Sequence, residues 1–258
     1  MTRFIAVVSG KGGVGKTTTS INLGVALKSL GKDSIVLDGN LTTPDVGLHL
    51  GVTNLPVTLH DVLEGKKSIL KATYVHASGL KVIPADISFN ALKRLNLKKL
   101  KNVFNGLKGS SEIILMDCGA GLGKEVLSVM KFADEVLVVT NPELSAVTNA
   151  LKTIKMAEEN NITVLGVVLN KVKNKDILSI NNVETLLNKP IIGVIPETDY
   201  AQKSLKIKHP LTYYYPRSSP AKAFKRTAAW IAGEDYQGFE DAKKGFFNYV
   251  LKKLGFEK

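Results

Sequence analysis

Nine consecutive residues, Gly10-Lys11-Gly12-Gly13-Val14-Gly15-Lys16-Thr17-Thr18, contain the eight-position pattern G-x-x-x-x-G-K-[ST]. Glycines at this density let successive backbone N–H groups curl around phosphate oxygens, and a helix starting at the end of the loop points its positive terminus at them. Lys16 would neutralise β- and γ-phosphate charge, and the Thr17 hydroxyl would go to Mg²⁺. Two apolar runs elsewhere end in carboxylates, Val-Leu-Asp at Asp38 and Leu-Met-Asp at Asp117. With Thr17, these acids are the candidate metal set, because phosphoryl transfer needs a divalent cation and placed waters beside the phosphates.

For these groups to meet, the chain must supply strands that end where the loop begins. Apolar runs at residues 3–9, 34–38, 80–84, 112–117, 135–140, 163–169 and 191–195 read as buried parallel strands. Between them lie stretches with helical spacing, such as Ile21, Val25, Leu27 and Leu30. The pattern predicts an α/β fold, a doubly wound and mostly parallel sheet flanked by helices in three layers. Strand C-terminal ends in such a sheet line the ligand crevice, which brings Asp38 and Asp117 to the glycine loop. With no repeat, low-complexity tract or linker in view, residues 1–238 read as one domain and 239–258 as a separable tail.

The composition agrees: 258 residues, 44% hydrophobic and 22% charged, suffice for one large core. No apolar run approaches a membrane span, and the N-terminal strand enters the glycine loop where a signal peptide would carry its cleavage site. A cytoplasmic protein is expected. One cysteine, Cys118, rules out an intrachain disulfide framework, and four histidines without an i, i+4 pair argue against zinc chemistry. The net charge of +12 is concentrated, with +9 between residues 66 and 108 and +4 between 243 and 258. Either region would suit an anionic surface.

KGGVGKTT, with Lys11 ahead of the glycines, resembles the deviant phosphate loop of the MinD/ParA ATPases. The likeness continues through LDGNLTTPDVGLHLG, MDCGAGL, VVTNPELSAV, VLNKV, GVIPETD and SSPAKAF, in an order most similar to the MinD branch. The resemblance implies an ATP hydrolase that uses ATP/ADP and Mg²⁺, acting in cell division or related spatial positioning. It implies that Lys11 reaches across an ATP-dependent homodimer to the partner's phosphates. Gly10 to Thr18 then form the cradle, Asp117 opens the second switch loop, and Asn170 and Pro196 contact adenine. One position departs from the family: a second acid is usual two residues after Asp38, and this chain has Asn40. An amide holds a water by hydrogen bonding but supplies no negative charge, so slow hydrolysis is expected. Cys118, alone in its chain, offers too few thiolates for an iron–sulfur cluster even in a dimer.

The tail carries Phe246, Phe247, Val250, Leu251 and Leu254 on one helical stripe, with Lys243, Lys244, Lys252 and Lys253 around it. That is an interfacial amphipathic helix, expected to place the protein reversibly on anionic membrane lipids at the inner face of the cell membrane. Residues 92–107 read as a second amphipathic helix, with Leu92, Leu95, Val103 and Leu107 inward and Lys93, Arg94, Lys98, Lys99 and Lys101 outward. Three functions follow. The first is a membrane-associated ATPase switch that positions partner proteins, the second a ParA-like ATPase binding DNA without sequence preference, the third a nucleotide-holding recruitment module with negligible turnover.

Overall fold

The computed structural model describes residues 1–52, 55–93, 96–173 and 178–234. The amphipathic tail, Arg94 and Leu95 lie outside these residues. Eight strands form one sheet: β1 Arg3–Ser9, β2 Ser34–Gly39, β3 Tyr74–Val75, β4 Lys81–Ile83, β5 Ile113–Ala120, β6 Glu135–Thr140, β7 Thr163–Val172 and β8 Ile191–Pro196. Their order is β3-β4-β2-β5-β1-β6-β7-β8, parallel except for β3, which runs antiparallel to β4 at the edge. The sheet is mostly parallel, as expected, and β3 is a strand that the apolar runs did not mark. Two residues long, it is too short to show a period in sequence.

Alternate residues of each strand enter opposite cores, as the pleat requires. Phe4, Ala6 and Val8 of β1 pack on one side, Ile5 and Val7 on the other. The first side is covered by α2 (Leu100–Leu107), α3 (Lys124–Met130), α4 (Leu144–Glu159) and α5 (Ile180–Leu187), which follow α1 (Lys16–Ser29) in the chain. The second is covered by α1 and by α7 (Ser219–Ala232), with α6 (Asp199–Ile207) nearby. α1 is buried from Ile21 to Leu27 without a break, since it lies between the sheet and α7. Asn22 pins it: its Nδ2 donates to Thr18 O at 2.8 Å, and its Oδ1 accepts from Thr212 N at 2.8 Å.

The expected helix over 92–107 is broken. Phe89–Lys93 is a separate turn of helix, Leu97–Lys99 is 3₁₀, and α2 starts at Leu100. The Asn96 side chain accepts from Lys98 N at 3.1 Å, a local bond that starts a helix afresh. Val103 and Leu107 face inward as expected, joined by Leu100 and Phe104. Several lysines of the basic region are engaged. Lys66 pairs with Glu64, Lys81 with Asp33 at 2.9 Å, and Lys99 donates to Glu64 O at 2.7 Å.

Candidate functional site

The glycine loop leaves β1 at the centre of the sheet. β5 lies on one side of β1 and β6 on the other, so the loop opens at the point where the strand order reverses, the usual crevice of such a sheet. Two of its glycines are fixed by contact. A Cβ at Gly10 would lie 2.3 Å from Asn149 O of α4, and one at Gly15, where φ is +92°, would lie 2.2 Å from Asn170 Nδ2. At Gly12, by contrast, a Cβ would meet nothing within 4 Å, so the crown of the loop faces open space. α1 begins directly afterwards at Lys16, with its free N–H groups turned to that space.

Asp117, fully buried on β5, is the hub of the site. Its Oδ1 accepts from Lys16 Nζ at 3.1 Å and Ser20 Oγ at 2.9 Å, and its Oδ2 from Thr17 Oγ1 at 2.6 Å. Asp38 stands beside it, since the two are register partners on neighbouring strands. Asp38 Oδ1 accepts from Asn40 N at 3.2 Å, and its Oδ2 from Asp45 N and Val46 N at 3.1 and 3.0 Å. Burial, and then the facing Asp117 carboxylate, hold the Asp38 carboxyl well above the ordinary carboxylate value despite the hydrogen bonds from Val46 and Asn40. Burial works against the Lys16 charge, but Asp117 outweighs it and the ammonium sits above its usual range. Two stacked acids with one lysine are short of positive charge, and an all-oxygen set of Thr17 Oγ1 and the two carboxylates fits Mg²⁺ in chemistry. Ser20 was invisible to motif reading. The available signal is its place three residues after Thr17 on α1, on the face toward β5.

Asn40 is buried and turned into its own loop. Its Nδ2 donates to Thr43 O, and its Oδ1 accepts from Thr43 Oγ1 at 3.0 Å. Thr42 ties the same loop to α3, through 3.0 and 2.8 Å bonds from its N–H and hydroxyl to the Glu125 carboxylate. Lys11 stands at the rim, where its ammonium pairs with Glu143 at 2.8 Å, just ahead of α4. That pairing holds the Glu143 carboxyl below its usual value. Asn170 is buried against the loop, with Nδ2 donating to Val14 O at 2.7 Å, and Pro196 ends β8 beside β7. Thr18 lies on the first turn of α1, its carbonyl bonded to Asn22. Cys118 is fully buried, and burial pushes its thiol up to about 12.

Comparison with known proteins agrees with this fold. The profile of the ParA family, described as an NUBPL iron-transfer P-loop NTPase, matches residues 1–229. The chain belongs to the MinD/ParA family. Among solved members, the cell division ATPase MinD of Pyrococcus furiosus is 36% identical, with a TM-score of 0.86 over 90% of this chain and 99% of that one. The septum site-determining protein MinD of Pyrococcus horikoshii, solved in complex with Mg-ADP, is 34% identical with a TM-score of 0.85, over 90% and 96%. An uncharacterised ATP-binding protein of Methanocaldococcus jannaschii is 39% identical over 252 residues, covering 97% of this chain and 96% of its own. The one cysteine of this MinD/ParA chain, Cys118, lies fully buried on β5.

Proposed function

We propose that this chain is a MinD-like ATPase switch. It binds Mg-ATP, pairs with a second copy of itself, and in that state sits on the membrane and positions a partner protein. The observation that supports this reading is the placement of Lys11. Its amine stands at the rim of the cradle, 41% exposed and held by Glu143, while Lys16 occupies the interior position beside Asp117. One lysine is placed for the chain's own phosphates, and the other, on leaving Glu143, would serve a partner's. An ammonium arriving from a second copy would stabilise charge on the transferred phosphoryl group, so pairing and turnover would depend on each other.

Within one copy, Thr17, Asp117 and Asp38 would hold Mg²⁺ and its waters. The loop N–H groups and Lys16 would bind phosphate, and Asn170 with the Pro196 turn would border the base. Mg²⁺ bound there supplies the positive charge that the buried acids lack. Hydrolysis would be slow, because Asn40 brings no charge to the lytic water. The test is light scattering of the full chain with ATP and with ADP. Dimers are expected with ATP only, and Lys11→Ala should keep ADP binding and lose them. Unchanged ATP dimers in Lys11→Ala would refute the cross-subunit role.

A second reading, a ParA-like ATPase on DNA, draws on Lys67, Lys71, Lys98 and Lys101, which are exposed and carry no ion pair among the described residues. Co-sedimentation with duplex DNA against anionic vesicles separates the two, and DNA binding that survives removal of residues 239–258 and falls off with salt would favour the second. No helix among the described residues is long and apolar enough to cross a membrane.

A further inference from the structure

Asn170 and Lys171 are consecutive residues near the end of β7, and both reach the glycine loop. Asn170 Nδ2 donates to Val14 O, and Lys171 Nζ donates to Gly13 O, each at 2.7 Å. A regular strand cannot do this, because neighbouring side chains point to opposite faces. Here the β7–β8 register breaks between Leu169 and Val172, and Lys171 adopts φ +57°, a left-handed conformation that costs a non-glycine residue energy. That strained turn brings two adjacent side chains onto two adjacent carbonyls. A planar trans peptide sets its C=O and N–H antiparallel. Anchoring the Gly13 and Val14 carbonyls toward β7 therefore turns the Val14 and Gly15 N–H groups the other way, toward the open side of the loop.

We propose that Lys171 is a positioning residue that works with Asn170 as a clamp, presetting the Val14 and Gly15 N–H groups for phosphate. The clamp rests on the reading of this loop as a nucleotide site and adds to it. It gives Lys171 a function, and gives the strained backbone at the end of β7 a reason. It also links the strand that borders the base to the loop that holds phosphate, so that disturbance of one reaches the other through two hydrogen bonds.

The experiment compares the full-length wild type with Lys171→Met, Lys171→Arg and Lys171→Gly. ADP affinity is measured by calorimetry in Mg²⁺, kcat and KM by phosphate release, and Val14 and Gly15 amide signals by ¹⁵N NMR without nucleotide. Loss of one charge-assisted hydrogen bond should weaken ADP binding roughly five- to tenfold in the Met variant. The change should appear in KM, with kcat nearly constant, and Arg should restore most of it. The two amide signals should shift in Met and return in Arg, which a general loss of positive charge near the loop would not produce. Lys171→Gly removes the strain and the amine together; it guards against a Met variant that fails to fold, and it too should bind ADP weakly. Wild-type affinity in either Met or Gly, or unmoved Val14 and Gly15 signals, would overturn the clamp. A wild-type protein that binds no ADP would instead remove the nucleotide reading, and the amide signals would still judge the clamp.

Discussion

Asn40 commits both ends of its amide to the turn at residues 40–43, with Thr43 as partner on each side. Replacing it with Asp keeps the acceptor for Thr43 Oγ1 but sets a carboxylate against Thr43 O, so the turn should lose about 1 kcal/mol of stability. The same change brings negative charge next to the Asp38 end of β2, where water would be oriented. Asn40→Asp should therefore raise the single-turnover rate of ATP hydrolysis while lowering the unfolding midpoint. A rate at or below wild type would take water positioning away from this residue. His60 carries the pH dependence at this scale. Its Nδ1 accepts from Asp86 N at 3.0 Å while its Nε2 faces Leu41 O at 3.1 Å, so the ring is bonded in its neutral form. Burial lowers its pKa. The unfolded chain then takes up a proton at a higher pH than the folded one, so the stabilisation is present above the ordinary histidine value near 6.5 and is lost as pH falls through the lower folded value. Denaturant midpoints should drop as pH falls from about 6.5 toward the lower folded value and level off below it, and His60→Gln should flatten the drop.

Packing at the level of elements separates stability from chemistry. The ring of Phe104 on α2 stacks on Phe132 with centroids 4.6 Å apart and meets Phe4 of β1 edge-on at 5.7 Å. This cluster lies on the sheet face opposite α1, and none of its members touches the glycine loop. Phe104→Ala should cost about 3–5 kcal/mol in denaturant unfolding, the usual loss for a buried aromatic. ADP affinity of the folded fraction should change less than twofold; a large loss would mean that α2 supports the site through the sheet. The helix after the loop is held differently. α1 has no solvent face from Ile21 to Leu27, and the Asn22–Thr212 bonds fix it to the segment that precedes α7.

For the molecule as a whole, the proposed reading has charge and the tail decide where it goes. One amphipathic helix of about this length buries a few apolar side chains at an interface and must offset its own ordering, so a monomer should hold a vesicle weakly. Two tails on one ATP dimer share a single loss of translational freedom, and affinity should rise steeply. Full-length protein should sediment with anionic vesicles in ATP, release in ADP or high salt, and fail to bind after removal of residues 239–258. Phe247→Asp with Leu251→Asp should release it without altering nucleotide binding. Sedimentation of the truncated chain at full-length levels would move the contact to the exposed lysines of residues 66–108.

The glycine loop, the acids toward the C-terminal ends of β2 and β5, and seven of the eight strands were legible because each is a local signal: a motif of adjacent residues, or an apolar run bounded by turns. Strand ends differed by up to three residues, as at β5 and β7, because pairing with neighbours, not composition, decides where a ladder stops. The loop's partners were not legible. Ser20 joins Asp117 from 97 positions away, Lys171 joins Gly13 across 158, and Glu143 joins Lys11 across 132. No spacing in sequence encodes those meetings; the order of strands in the sheet does. The break at Asn96 and the left-handed turn at Lys171 were hidden for the same reason, since a short-range hydrogen bond in one case and a register shift against β8 in the other overrode the local pattern. Sequence alone thus determined which chemistry the chain carries and on which kind of scaffold, because phosphate cradles and buried strands are built from contiguous residues. Tertiary structure alone decided which side chains hold that cradle in shape, because those contacts exist only once distant strands lie side by side.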